Sequence, residues 1–185
     1  MLMAISAEGR AHAALLAGSR ASAQAAYFEA VENYRASWRL APPRSYGRLV
    51  GLLKAAVLGG AAQPAAREVR EALRDDPDAE GSPVAAYVLA VAALIVGDDE
   101  GVAPRADTME QRGDAFARTA AALRALADGD RERYAEALSA IEADFASRTE
   151  HLTGVEIADT AVMLELLAAE RGLDVRPNSP LIPAI

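Results

Sequence analysis

The sequence predicts an all-α fold of stacked antiparallel helix hairpins, tetratricopeptide-like, with about 8 helices and no sheet. Three observations predict it. About half of the 185 residues are apolar but only 5% are aromatic, and an apolar fraction carried by alanine and leucine suits close-packed helices and suits strands poorly. The apolar spacing follows the helical period nearly throughout. Four helix ends share an apolar stretch followed by glycine: Leu15-Leu16-Ala17-Gly18, Val57-Leu58-Gly59-Gly60, Ile95-Val96-Gly97-Asp98 and Leu126-Ala127-Asp128-Gly129. Gly18, Gly59, Gly97 and Gly129 are 41, 38 and 32 residues apart, periods that suit helix-hairpin repeats. One hairpin cannot bury its apolar face alone, so successive hairpins stack. The residue-by-residue tetratricopeptide pattern is not met, so a plain helical bundle is the competing architecture.

An Ala-rich first helix carries His12 and ends near Gly18. Tyr27, Val31, Tyr34 and Trp38 define one face of a second helix, from about Ser22, its expected N-cap, to Leu40. Pro42 and Pro43 end it. A third helix runs from about Ser45 to Leu58, with Leu49, Leu52, Leu53, Ala56 and Val57 inward. Pro64 opens a fourth, reaching Arg74. The Asp75–Pro83 segment is a polar loop. Val84–Val96 is apolar all round, the mark of a central helix. Asp98–Arg112 contains Gly101 and Pro104 and is expected to be a loop with one short helical turn. Gly113–Ala127 is helical, and Asp130 caps the next helix, with Tyr134, Ala137, Leu138, Ile141 and Phe145 inward. The last helix is expected over Thr153–Arg171, with Gly172 as its C-terminal cap. The tail from Asp174 holds three prolines and is extended, with Leu181 and Ile182 pinning it to the body.

The whole chain reads as a single helical domain, 1–185, with an uneven charge. Residues 1–74 hold ten basic and five acidic side chains, a slightly basic half, whereas residues 75–185 hold nine basic and twenty-two acidic. The acidic excess falls in the helices of 84–173, ahead of the extended tail at 174–185. It disfavours nucleic acid and anionic membranes, because phosphates are repelled, and it is compatible with a basic protein partner. There is no cysteine, so disulfides, thiolate zinc sites and cysteine nucleophiles are excluded. The longest uncharged apolar run, Val84–Val96, is shorter than the roughly 20 residues a bilayer requires. The N-terminus lacks the pattern of a signal peptide, so a cytoplasmic location is expected. Lys54 is the only lysine, a bias that reflects a GC-rich coding sequence.

Motifs for chemistry are sparse. His12 and His151 are the two histidines. His12 is expected at the surface or half-buried, and neither histidine has an H-E-x-x-H or E-x-x-H spacing, so no metal ligands are assigned. No G-x-S-x-G elbow and no phosphate-binding loop occurs. Asp98-Asp99-Glu100 lacks the alternating ligand spacing of a calcium loop. Glu29 with Glu32, and Glu156 with Asp159, share helix faces at i, i+3 that are ordinarily wet. No catalytic residue and no cofactor is assigned, and the chain reads as a non-enzyme.

The C-terminal third has a recognisable order: Leu123-Arg124-Ala125-Leu126-Ala127-Asp128-Gly129-Asp130, an amphipathic helix ending at Phe145, then Ala168-Ala169-Glu170-Arg171-Gly172-Leu173 and Asn178-Ser179-Pro180-Leu181-Ile182-Pro183. It resembles the immunity protein 49 family of bacterial polymorphic toxin systems over roughly residues 115–185. The resemblance implies a helical protein that binds and neutralises a cognate toxin, and it fixes no contact residues.

The leading expectation is therefore a non-catalytic helical-repeat protein that binds another protein, a basic toxin domain being the most concrete partner. Asp98, Asp99, Glu100, Asp107, Glu110 and Asp114 are the expected partner-facing acids, followed by Asp128, Asp130 and Glu132, since an acidic surface speeds association with a basic partner. Two other readings compete. A tetratricopeptide-like adaptor would hold a peptide near Tyr27, Tyr34, Trp38 and Arg35. A small-ligand or enzyme pocket would need carboxylates that converge on a cavity. Terminal helices of such repeats pair readily, which adds a homodimer to the expectations.

Overall fold

The computed structural model describes residues 1–183, and among them lie nine α-helices and no strand. Helices α1 (Leu2–Leu16) and α2 (Arg20–Arg39) form a first pair, and α3 (Gly47–Leu58) and α4 (Ala62–Ala72) a second. Helices α5 (Pro83–Val96) and α6 (Val102–Glu110) form a third, and α7 (Asp114–Asp128) and α8 (Arg131–Ala146) a fourth. Helix α9 (Asp159–Glu170) follows unpaired.

The first helix of each pair stops at a left-handed glycine. Gly18, Gly60, Gly97 and Gly129 have φ of 73°, 81°, 78° and 71°, a region that costs a side chain with a Cβ about 1–2 kcal/mol. In the second pair the left-handed residue is Gly60 rather than Gly59, whose φ is −87°. Asp130 caps α8 through a bond from the Arg133 N–H, and Ser82 caps α5 through a bond from the Ala85 N–H, with Pro83 in the first turn. Helix α2 starts earlier than its periodicity suggests. Ser19, not Ser22, stands at its cap, and the Ser19 hydroxyl donates to Ser22 Oγ at 2.9 Å.

Helices α3, α5 and α7 lie side by side, and α9 packs across this row against α3, α7 and α8. Helix α5 is central, with residues on every side buried.

Two segments differ from the sequence reading. The stretch expected to be a loop at Asp98–Arg112 contains a 3-10 turn (Asp99–Gly101) and α6. Pro104 is the third residue of α6, where its missing N–H needs no helical partner, so it does not break the helix. The last helix begins at Asp159, not near Thr153. Gly154 takes a φ of 71°, and the segment before Asp159 crosses α1, where the Thr153 carbonyl oxygen lies 2.9 Å from where a Cβ on Gly9 would stand. The tail is pinned as expected: Ile182 is buried, and the Ala158 N–H donates to the Leu181 carbonyl at 2.9 Å. No helix among the described residues is long and apolar enough to cross a membrane.

Candidate ligand-binding site

Four ionisable residues from three helices meet in the interior. Glu8 and His12 sit four residues apart on α1, on one helical face, and each is only 1% exposed. Lys54 enters from α3, and Asp159 is the first residue of α9. Lys54 Nζ bonds Asp159 Oδ2 and lies 3.9 Å from Glu8 Oε1. The Tyr34 hydroxyl donates to Glu8 Oε2 at 2.8 Å. His12 Nδ1 is 3.1 Å from Thr153 Oγ1, and its ring meets Tyr27 edge-on at 5.9 Å.

Glycine creates the room for this arrangement. A Cβ on Gly51 would stand 2.3 Å from Tyr34 Cζ, so only glycine lets α3 approach the tyrosine that holds Glu8. Gly9 does the same for the Thr153 segment.

Burial governs the electrostatics. It pushes the Glu8 carboxyl above the usual carboxylate range, and the Asp159 charge adds to this against Lys54 and the Tyr34 bond. It pushes the His12 ring down to about 4, so the imidazole is neutral at pH 7. Lys54 and Asp159 go the other way. Burial is the largest single influence on each and disfavours both charges, but their mutual attraction, their hydrogen bond and the other neighbouring groups together outweigh it, so Lys54 is raised and Asp159 lowered. Glu8 Oε1, His12 Nε2 and the Tyr27 hydroxyl are buried with no hydrogen-bond partner. Buried polar groups are nearly always paired, and all three of these belong to one cluster.

The cluster underlies a cleft of about 260 Å³ between α3, α5, α7, α8 and the segment leading to α9. Of its lining residues the more buried His12, Lys54, Tyr87 and Asp159 form the base, and the more exposed Arg118, Asp144 and Arg148 the mouth, with Thr153, Thr160, Phe145 and His151 also lining it. Asp144 bonds both Arg118 and Arg148, and the Arg148 guanidinium lies 3.7 Å over the Phe145 ring. Three cations thus face two carboxylates in the lining, a local positive excess in a chain of net charge −8. Two carboxylates, Asp159 and Asp144, line the cavity, one at each end.

Comparison with protein-family models, with curated proteins and with solved structures gives no match to this chain in any of the three. The site itself therefore carries the functional argument.

The expected acidic surface is largely engaged within the protein. Asp98 pairs with Arg70 at 3.4 Å, and Asp99 with Arg171 at 2.7 Å. Asp107 and Glu110 both bond Arg124, and Asp128 and Asp130 both bond Arg133. Among the described residues Glu100, Asp114 and Glu132 make no ion pair. Glu29 and Glu32 pair with Arg10 and Arg35 on the outside, as their spacing suggests. Tyr27 and Tyr34 are core residues and present no groove, and Arg35 is held by Glu32 and Glu68.

His12 departs from its expected place: it is fully buried, because α1 is covered by α2 on one side and by the Thr153 segment on another. Asp159, expected with Glu156 on a wet helix face, is instead mostly buried against Lys54, and Glu156 lies ahead of the helix; Glu8 and Lys54 have no site assignment in the sequence. Two signals point to Glu8 and Lys54, and none to Asp159: the E-x-x-x-H spacing of Glu8 and His12, and the singularity of Lys54 in a chain that otherwise uses arginine.

Proposed function

We propose that the protein is a binding protein for a small anionic molecule, which enters the cleft between Arg118 and Arg148 at the mouth and Lys54 at the base. The observation that carries this reading is the convergence of three cations on a cleft of about 260 Å³ that is also lined by His12, whose buried Nε2 has no hydrogen-bond partner. Concave sites of this kind, with a few convergent polar groups, are where ligands bind. Binding without catalysis is favoured by the one hydroxyl–imidazole pair among the described residues. Thr153 and His12 are in hydrogen-bond reach, but His12 Nε2 lacks the orienting third partner that activates such a pair. The setting proposed is the cytoplasm.

A screen of small carboxylates and phosphate esters by thermal shift, followed by calorimetry, tests this. At least one anion should raise the melting temperature, and Arg118→Ala with Arg148→Ala should remove most of that rise. If no anion stabilises the protein at millimolar concentration, the proposal is wrong.

A second reading retains a basic protein partner, the toxin-neutralising role that the likeness of residues 115–185 to an immunity family implies. It is favoured by Glu100, Asp114 and Glu132, which make no ion pair among the described residues. Pull-down at low and high salt tests it: a single basic partner lost at high salt supports it. Charge reversal at Asp98, Asp99, Glu100, Asp107, Glu110 and Asp114 that leaves the affinity for such a partner unchanged would remove it.

A further inference from the structure

Glu8, His12 and Asp159 bring together the donor set of a metal site. One carboxylate oxygen of each acid and one ring nitrogen of His12 all lie within 4.8 Å of one another. Glu8 Oε1 and His12 Nε2 have no hydrogen-bond partner, and both residues are almost completely buried. Nδ1 of His12 is engaged by Thr153 Oγ1, which fixes the ring and leaves Nε2 free, as the outer hydrogen bond of a metal-binding histidine usually does. The Tyr34 hydroxyl holds the other oxygen of Glu8 in the same way.

We infer that Glu8, His12 and Asp159 form a binding site for one divalent transition-metal ion of the Zn²⁺ or Co²⁺ class, open on the side of the cleft.

Donor chemistry and geometry support the class of ion. One imidazole with two carboxylates suits borderline ions and not Mg²⁺ or Ca²⁺, which take all-oxygen shells. Three protein ligands with a fourth position left open is the pattern of accessible zinc sites. Bonds of about 2.0–2.1 Å put tetrahedral ligand atoms roughly 3.4 Å apart. With the donors within 4.8 Å of one another, each pair has to close by at most about 1.4 Å, through rotations of Glu8 and Asp159. His12 and Asp159 line the cleft, which gives the ion its route in.

Lys54 is the competitor. Its ammonium now balances Asp159 and lies beside Glu8. A doubly charged ion balances both carboxylates and releases the ammonium, which also lines the cleft and can turn into it. The inference concerns the atoms beneath the cleft and stands whether or not an anionic ligand binds above them.

Calorimetric titration of the chelator-treated protein with ZnCl₂ and CoCl₂ is the test, with the visible spectrum of the Co²⁺ complex as a second readout. The expected result is one equivalent of saturable binding, no response to MgCl₂, and a loss of at least about tenfold in affinity in His12→Gln. This variant keeps the Lys54–Asp159 pair, and circular dichroism checks its fold. Lys54→Met removes the competing ammonium and should bind at least about tenfold more tightly than the wild type. The inference is overturned if neither the wild type nor Lys54→Met binds one equivalent, or if His12→Gln binds as the wild type does.

Discussion

Lys54 and Asp159, 105 residues apart in the chain, form an ion pair that ties α3 to the first turn of α9. Both side chains are mostly buried, at 13% and 14% exposure. Such a pair stabilises little relative to apolar residues of the same size, but losing one partner strands the other charge. Here removal of the cation strands Asp159 and leaves Glu8 without its neighbouring positive charge.

Lys54→Met should therefore destabilise the metal-free protein by about 3–5 kcal/mol in urea denaturation, whereas the double variant Lys54→Met/Asp159→Leu should recover part of that loss. A cost below about 1 kcal/mol for the single variant would mean that the pair is solvated.

His12 sets a second expectation, for stability against pH. Its ring is pushed from 6.5 down to about 4 by burial. The unfolded chain then binds the proton more readily than the folded one, so His12 favours folding fully above about pH 6.5 and loses that contribution as pH falls towards 4. The size is about 3 kcal/mol. Glu8, raised by burial, has the opposite slope above its ordinary value, and Asp159, lowered by Lys54 against the burial cost, matters only in stronger acid. Melting curves in chelator from pH 8 to pH 4 should fall steeply for the wild type and much less for His12→Gln. Equal slopes in the two proteins would contradict a buried neutral imidazole.

Gly51 and Gly9 separate structural from functional room. A methyl on Gly51 would press into the Tyr34 ring, with α2 behind it. Gly51→Ala should cost about 3 kcal/mol, at the upper end of overpacking, and should break the Tyr34–Glu8 bond. A methyl on Gly9 meets the carbonyl of Thr153 in an irregular segment that can shift. Gly9→Ala should lower the melting temperature less than Gly51→Ala does, because an irregular segment gives way more readily than a packed ring, and should weaken ligand or metal binding, because it moves the residue that holds His12. Loss of stability in Gly9→Ala equal to that in Gly51→Ala would show that the segment is as rigid as a helix.

The difference between what was legible in the sequence and what was not follows from the range of the interactions. Helix ends are local: Gly18, Gly97, Gly129 and Gly172 carry their left-handed φ wherever the fold places them, and Asp130 caps α8 from one residue away. The site is non-local. Asp159 reaches Lys54 only because Gly154 breaks the helical path and delays the start of α9, and the periodicity of Val155, Val162 and Leu166 runs through that break without a mark. Lys54 was visible as the sole lysine but looked compositional. The acidic surface shows the reverse error of scale. Asp99, Asp107 and Asp130 are exposed or half-exposed acids, as their sequence context suggests, but the arginines that engage them come from other turns and other helices.

Arg171 gives the last test, of how α9 is locked over the row of first helices. Its guanidinium donates to the Leu94 carbonyl at 2.9 Å in the last turn of α5, to the Leu126 carbonyl at 3.4 Å in the last turn of α7, and to Asp99 at 2.7 Å. One cation thus faces two helix C-termini, where the partial negative charge collects. Arg171→Ala should cost about 2 kcal/mol, and Arg171→Lys roughly half of that, since a point charge keeps the dipole interaction but not the fork of donors. Because α9 carries Asp159, the same substitution should also raise hydrogen exchange in the first turn of α9 and weaken any ligand that depends on Lys54. Unchanged exchange there would mean that Lys54 alone positions Asp159, and that the two ends of α9 are held independently.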